Sequence, residues 1–290
     1  MPQTAANRIR LKYENVKEKC SSNYKSITAG SAIRELAIMS LNFLNSECNQ
    51  IALISRVPGK NYFSFQKDNI VARPANSEFF LTSTRQINNL WQRWIARNIT
   101  PADFAKLTYT IALAPCLAME IFDRQNKKGP ATFFECLIGH LFAKTININP
   151  TKNVRLPVQG QNVRMTMDFL FDMGPQHRKI HMPVKMSSRE RVVQAWAHQR
   201  LLNAAYGEQQ YRGILVLFAE TKLNSRTHEV VEICVPDQWL VYQSLLAKMD
   251  RIYYFDIPAR YQTLTDLHPT LITIKQFGEF FNERDAVLLA

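Results

Sequence analysis

The pattern of apolar and polar positions changes character along the chain and predicts two regions. Up to about residue 120, apolar residues recur at helical spacing, as in SAIRELAIMSLNFLNSEC, so this part is predicted to be mainly helical. Farther along, several segments alternate between apolar and polar positions, which is typical of strands. We therefore predict a mainly helical N-terminal region over residues 1–120 and a second region of mixed character over residues 121–290.

The second region predicts a mixed α/β fold. GPATFFECLIGHLFAK has helical spacing with Pro130 near its first position, where proline is favoured. A further helix is predicted from residue 188 to about 206. Four segments are strand candidates, namely VRLPVQGQNVRMTMDFLFDM, KIHMPVKM, YRGILVLFAE and HEVVEICVP. Helices and strands in this order predict a mixed central sheet flanked by helices.

Composition and charge narrow the class of partner. A chain of 290 residues with 46% hydrophobic and 21% charged residues suits a globular protein with a sizeable core. Its net charge of +12 favours an anionic partner, nucleic acid first and an anionic membrane surface second, because surplus cations attract phosphates.

The sequence also argues against several classes of protein. The longest apolar stretch, YTIALAPCLAMEIF, includes Pro115 and is shorter than a bilayer span, and the first residues lack the apolar segment of a signal peptide. The five cysteines are scattered without a CxxC pair, which argues against a disulfide framework and a zinc site. We expect a soluble, cytoplasmic protein without a membrane partner.

Two neighbouring strand candidates each carry a charged side chain on the polar face. In RMTMDFLFDM, the methionines and phenylalanines lie on one face of the strand and Asp168 lies on the other. In KIHMPVKM, the apolar residues likewise lie on one face and Lys185 lies on the other. If the loop spans residues 174–179, antiparallel pairing places Asp168 directly across from Lys185, with Cβ atoms about 5 Å apart. The two side chains are then either a cross-strand ion pair or two members of an active site.

The helix after Lys185 is predicted to open with three charges. Ser187 and Glu190 form the S-x-x-E pattern of a capping box, but Arg189 and Arg191 oppose the helix dipole, which favours anions at this end. Arginine offers two donors to guanine O6 and N7, and a carboxylate accepts from cytosine N4. The triplet is therefore a candidate reader of adjacent G and C bases, with capping as the alternative role of Glu190.

Two other features have both a structural and a functional interpretation. Glu135 lies at the border of the apolar stripe of its predicted helix, where a carboxylate is either a surface residue or a site residue. Trp91 and Trp94 are spaced for one face of a helix and either pack in a core or stack on an extruded base.

Together these residues resemble the PD-(D/E)XK nucleases, and more narrowly the type II restriction endonucleases that cut palindromes with a CCGG or CCNGG core. In that group a triplet such as Arg-Glu-Arg, four residues after a strand lysine, reads the C:G pairs, and Arg189 follows Lys185 at this spacing. The resemblance covers about residues 130–235. It implies a catalytic and DNA-recognition core over residues 121–290 and, over residues 1–120, a region that offers DNA contacts, a dimer surface or both. It also implies that Asp168 and Glu135 bind a divalent metal, Mg²⁺, and that Lys185 orients or activates the attacking water.

The chain departs from the family pattern at one position of the signature. The acid expected two residues before Lys185 is replaced by Pro183. In the restriction group that acid usually lies on the following helix, at the positions that His198 and Gln199 occupy here. Either of these two residues takes the role, or Glu135 carries it, or the site is weakened.

The leading hypothesis is a homodimeric, Mg²⁺-dependent type II restriction endonuclease of a restriction-modification system, since a two-fold palindrome is matched by a two-fold protein. One alternative is a DNA-binding protein that keeps the nuclease fold without activity. Another is a repair or junction-resolving nuclease, which does not need to read sequence.

Overall fold

Residues 4–189 and 192–283 are described by a computed structural model of the protein. Their contacts divide the chain into two compact units. The helical unit comprises Met1–Lys144 with Thr221–Glu232, and the sheet unit comprises Thr145–Glu220 with Ile233–Ala290. The functional division of the chain near residue 120 stays a prediction.

The α-helices of the described residues have the following bounds in chain order: α1 (Ala5–Ser22), α2 (Ile27–Glu47), α3 (Thr84–Ile95), α4 (Pro101–Phe122), α5 (Gly129–Ile146), α6 (Val192–Tyr206), α7 (Pro236–Val241) and α8 (Ala259–Leu267). A π-helical turn, Tyr242–Leu246, follows α7, and a 3₁₀ turn, Phe277–Glu279, follows the last strand.

The strands are β1 (Asn49–Ala52), β2 (Ile54–Ser55), β3 (Tyr62–Lys67), β4 (Ile70–Val71), β5 (Ala75–Asn76), β6 (Thr151–Val158), β7 (Gln161–Phe171), β8 (Lys179–His181), β9 (Val184–Lys185), β10 (Tyr211–Leu217), β11 (Thr221–Asn224), β12 (Glu229–Glu232), β13 (Arg251–Tyr254) and β14 (Ile274–Gln276).

Helix α4 forms the centre of the helical unit, where α2, α3 and β3 pack against it. Its N-terminus is capped by Thr100, whose side chain accepts the Asp103 N–H at 3.1 Å, and Pro101 occupies the first helical position. The helix is longer than its apolar stretch, so the sequence argument that this segment is too short for a membrane is wrong. However, 89% of its most apolar window is buried inside the protein, which is the arrangement of the core helix of a soluble protein.

The sheet unit is built on a mixed sheet in the order β14-β13-β10-β8-β7-β6, with β9 also paired to β10. Strands β8, β9 and β13 run parallel to β10, whereas β6, β7 and β8 pair antiparallel in sequence. All of β10 is buried, as expected for a central strand covered on both faces. Trp196 of α6 packs with Leu215 and Leu217 of β10 in a core that includes residues of α7 and α8. The predicted fold class is thus confirmed.

The register between β7 and β8 differs from the predicted one. Leu170 pairs with His181 and Phe171 with Ile180, a shift of two residues from the pairing that we predicted for Asp168. Lys185 does not pair with β7 and instead lies beside Leu217 of β10. The prediction that Asp168 stands directly opposite Lys185 in the ladder is therefore wrong.

A side-chain hydrogen bond explains the shift. The carboxylate of Asp172 accepts the backbone N–H of Gly174 at 3.1 Å and a hydrogen bond from Lys179 Nζ at 2.7 Å. A short polar side chain that bonds its own backbone two residues on makes a turn that competes with the strand. Gly174 has a φ of +92°, which glycine adopts without strain. Strand β7 consequently ends at Phe171, before the loop that the sequence predicted.

Candidate active site

The structure brings Asp168 and Lys185 together despite the changed register. Lys185 Nζ lies 2.7 Å from Asp168 Oδ2, and the same oxygen accepts the backbone N–H of Val184 at 2.9 Å. The side chains of Asp168 and Lys185 are only 23% and 20% exposed. A carboxylate on β7 thus contacts two consecutive residues of β9, which fixes its orientation beside the lysine.

Asp168 keeps coordinating capacity for a cation. Both bonds just described use Oδ2, so Oδ1 is available to another ligand at the partly open side chain. Within residues 4–189 and 192–283, no group of three or more His, Cys, Asp or Glu side chains is arranged to hold a metal. Mg²⁺ is bound through one or two carboxylates with waters and substrate phosphate, so one oriented carboxylate fits a magnesium site shared with substrate.

Helix α6 covers the face of the sheet that carries these groups. His181 pairs with Gly213 of β10, is fully buried, and has Nδ1 2.9 Å from Gln199 Oε1. Burial lowers the pKa of His181 to about 4, so the ring is neutral near pH 7. Because an amide oxygen can only accept, Nδ1 carries the proton. His181 Nε2 then presents a lone pair that has no partner among the described residues.

The two candidates for the missing acid have different surroundings. Gln199 is buried; its Oε1 accepts from His181, and its Nε2 donates to Asn203 Oδ1 at 2.9 Å and to the carbonyl of Tyr211 at 3.2 Å. A Cβ atom on Gly213 would lie 2.9 Å from Gln199 Oε1, so glycine gives the amide room. Gln199 thus has its hydrogen bonds inside the sheet unit.

His198, the neighbouring residue, is half-buried, and the charges of Asp168 and Lys185 act on its ring. Its ring centroid lies 6.2 Å from that of His181. Burial lowers the pKa of His198, while Asp168 raises it and Lys185 lowers it. His198 therefore shares the electrostatic environment of the charged pair, which Gln199 does not contact through its hydrogen bonds.

The remaining predicted residues lie in three places. Glu135 is half-buried on α5 in the helical unit, and its role as a second metal-site carboxylate stays a prediction. Arg189 is exposed and precedes α6. Glu190 and Arg191 lie outside the described residues, so the capping box and two members of the triplet are not described. Ser188 is not helical, so the predicted start of the helix at that residue is wrong.

The tryptophan pair has the surroundings of core residues. Trp91 and Trp94 of α3 are 5% and 7% exposed, with ring centroids 4.7 Å apart. Trp94 also packs on Phe104, and both indoles contact His140. This arrangement favours the structural interpretation over stacking on a base.

Sequence analysis missed Glu220, which follows β10 and is only 1% exposed. Its Oε1 accepts the backbone N–H of Ser188 at 2.6 Å and the hydroxyl of Tyr254 at 2.7 Å, whereas Oε2 is buried without a partner among the described residues. Burial raises the pKa of Glu220 to about 7, although both bonds and Arg189 lower it. The available signal was a carboxylate directly after an apolar strand, the kind of pattern that identified Lys185.

Comparison with solved structures identifies the fold. The crystal structure of the type IIP restriction endonuclease Kpn2I matches with a TM-score of 0.82 and 20% identity, over 96% of either chain. The restriction endonuclease PspGI in complex with substrate DNA matches with a TM-score of 0.42 and 14% identity, over 71% of this chain and 92% of that one. No protein-family model and no curated protein matches the sequence. The likeness to Kpn2I shows that the chain has the fold of a type II restriction endonuclease, and the predicted resemblance is confirmed at the level of the fold.

Proposed function

We propose that the protein is a type II restriction endonuclease that hydrolyses phosphodiester bonds in double-stranded DNA at a specific palindrome. The observation that carries this proposal is the contact between Asp168 and Lys185 on a restriction-endonuclease fold. The Val184 N–H orients the Asp168 carboxylate, and Arg189 follows Lys185 by four residues. Kpn2I, which has this fold, is a type IIP restriction endonuclease. The net charge of +12 supports a polyanionic substrate.

Asp168, Lys185 and His198 have separate roles in the proposed reaction. Asp168 would hold a Mg²⁺ ion, since it is an oriented carboxylate at a partly open position. When bound, Mg²⁺ supplies charge neutralisation at the scissile phosphate and a lowered pKa of water. Lys185 orients the attacking water and stabilises the negative charge that develops on the phosphate. Neutral His198 is the proposed acceptor of the water's proton at the position where the family has an acid.

Base reading belongs to residues 189–191 in this proposal. Arg189 and Arg191 contact guanines, and Glu190 accepts from a cytosine, within a palindrome that has a CCGG or CCNGG core. Each subunit of a homodimer reads one half-site, because a two-fold site is matched by a two-fold protein. The exposure of Arg189 is consistent with this role.

The experiment that tests the proposal incubates the purified protein with plasmid DNA and Mg²⁺ and sequences the fragment ends. Lys185→Ala is the matched control for contaminating nuclease. Discrete fragments whose ends share a C/G palindrome support the proposal and supply the outer bases. Smearing or random nicking by the wild-type protein, absent from the Lys185→Ala variant, contradicts it and favours a repair-type nuclease.

One observation favours a second candidate, a DNA-binding protein without activity. The family acid is absent, and Gln199, one of its two possible replacements, has its hydrogen bonds within the sheet unit. Intact plasmid together with a gel shift that depends on sequence would support this candidate in place of the nuclease.

A further inference from the structure

A buried network surrounds Ser188, the residue directly before Arg189. Ser188 donates its backbone N–H to Glu220 Oε1, and its Oγ lies 3.4 Å from the hydroxyl of Tyr261. That hydroxyl accepts the backbone N–H of Val235 at 3.1 Å, and Tyr254 donates to the same oxygen of Glu220. Ser188 is therefore held through both its backbone and its side chain by groups from distant parts of the sheet unit.

Hydrogen bonding alone does not explain why an acid occupies position 220. Both observed bonds fall on Oε1, and a glutamine amide oxygen accepts the same two bonds without a buried charge. The second oxygen of Glu220 has no partner among the described residues to offset its burial. A carboxyl group at this place therefore adds something that an amide lacks, namely a group that carries a negative charge above about pH 7.

The exposed Arg189 follows the anchored Ser188 directly in the chain. Burial raises the pKa of Glu220, and the positive charge of Arg189 lowers it. Ser188, Tyr254 and Tyr261 are the other groups of the network, and Cys234 lies near both tyrosines. A cation just before a helix N-terminus is repelled by the helix dipole, and an anion behind it offsets that repulsion.

We propose that Glu220 is a positioning residue for base reading, which anchors Ser188 and supplies the negative charge that holds Arg189 in place for its contact with DNA. This inference rests on the proposed function. A guanidinium that is oriented before DNA arrives loses less freedom on binding, so more of its interaction with guanine appears as affinity for the correct sequence. Glu220 itself does not contact DNA in this proposal.

The test compares two carboxylates of the sheet unit that are each bonded to a tyrosine of β13. Glu220→Gln keeps the size of the side chain and the acceptor for Ser188 but removes the charge. Glu283→Gln is the matched control, because Glu283 accepts the Tyr253 hydroxyl at 2.6 Å and also pairs with Arg251 and Lys275. The probe is a pool of short DNA duplexes with a randomised centre, bound without divalent metal above pH 7, where most of the Glu220 carboxyl group is ionised. The bound fraction is sequenced.

We expect the wild-type protein and Glu283→Gln to enrich the same palindrome equally. Glu220→Gln should enrich its C:G pairs about tenfold less, while its affinity for unselected duplexes stays within about twofold, because phosphate contacts dominate non-specific binding. Its thermal unfolding midpoint should not fall. In an Arg189→Ala background, Glu220→Gln should produce no further loss, since its effect passes through that residue.

Three results would overturn the inference. Enrichment by Glu220→Gln at the wild-type level removes the role of the charge, and equal losses in Glu220→Gln and Glu283→Gln indicate a general effect of either substitution. A wild-type protein that enriches no sequence overturns the proposed function together with this inference, so the two failures are distinguishable. If Glu220→Gln does not fold, Tyr254→Phe is measured instead: it keeps the charge and should keep the enrichment, and a tenfold loss would contradict the proposal.

Discussion

Both units of the protein bury a neutral histidine, and the surroundings of the two rings distinguish the candidate site from a core. In the helical unit, His140 Nδ1 lies 2.6 Å from the carbonyl of Tyr24, and its ring stacks on Trp91 with centroids 6.3 Å apart. In the sheet unit, His181 is bonded to Gln199 and lies in the electrostatic field of Asp168, Lys185 and His198. Burial lowers the pKa of both His140 and His181 to about 4.

A perturbed pKa alone therefore does not separate the two environments. His140 packs among aromatic rings, as a core residue does. His181 is instead affected by the charges of Asp168 and Lys185. Perturbed groups are informative when charge partners and open coordination positions accompany them. The sheet unit meets this condition around Asp168. The experiments below test the contrast with the helical unit, in decreasing order of the change that we expect.

Lys185→Ala should reduce the rate of DNA cleavage by about 10²- to 10³-fold or more, because it removes a charge that stabilises the transition state. Binding of the same DNA, measured by fluorescence anisotropy, should remain largely intact. The matched pair in the helical unit is Arg73 with Glu120, whose Oε2 also accepts a backbone N–H, at 2.9 Å. Glu120→Gln should lower the stability and leave cleavage unchanged; equal cleavage by Lys185→Ala and the wild type would remove the assignment.

Acid should destabilise both units through their histidines. The pKa of each ring is lower in the folded state than the 6.5 of a free histidine, so the stability that it contributes is present above pH 6.5 and is lost as the pH falls towards 4. Between pH 7 and 5, each histidine should account for a loss of about 2 kcal/mol in the free energy of unfolding. Urea unfolding at both pH values measures this loss.

Single variants separate the two histidines in that experiment. His140→Gln and His181→Gln should each remove about half of the combined loss between pH 7 and 5. An unchanged pH dependence in either variant would show that the replaced ring is already solvated or protonated in the folded protein.

Gln199→Ala should mainly lower the stability of the fold, whereas His198→Ala should mainly lower the cleavage rate. Loss of the Gln199 amide leaves His181 Nδ1 and the Tyr211 carbonyl without their partner, which should lower the free energy of unfolding by about 1–3 kcal/mol. His198→Ala should leave stability nearly unchanged and reduce the cleavage rate by about 10²-fold. Chemical denaturation and single-turnover kinetics distinguish them, and a kinetic defect confined to Gln199→Ala would reverse the two roles.

The smallest effect is expected at the ion pair of Asp172 and Lys179, which has the same 2.7 Å separation as Asp168 and Lys185. The Asp172 side chain is 62% exposed, and solvent screens such pairs, so Asp172→Asn should change stability by less than about 1 kcal/mol. Asparagine still accepts the Gly174 N–H and preserves the turn. Cleavage by this variant should equal that of the wild type, in contrast to Asp168→Asn, which should be inactive.

Local sequence patterns were enough to predict the strands and the helix between residues 154 and 220 and the closeness of Asp168 to Lys185. The later elements of the sheet unit, from α7 to β14, were not predicted. The strand candidate HEVVEICVP supplies β12 of the helical unit and not a strand of the central sheet. Alternation and helical spacing are local patterns, and the return of the chain after the turn at Gly174 brings Lys185 back to Asp168 even though the register was misjudged by two residues. The spacing from Lys185 to Arg189 is likewise a property of the chain alone. These features depend on residues that are near one another in sequence.

Three features depended on the tertiary structure: the register, the different surroundings of His198 and Gln199, and the position of Glu220. The register followed from the hydrogen bonds of Asp172. His198 and Gln199 differ because the packing of α6 buries Gln199 against the sheet and leaves His198 half-buried. Glu220 meets Ser188 and Tyr254 because β9, β10 and β13 are adjacent in the sheet. Burial, and with it the pKa of a carboxyl or imidazole group, arises from contacts between residues far apart in the chain, which local sequence patterns do not specify.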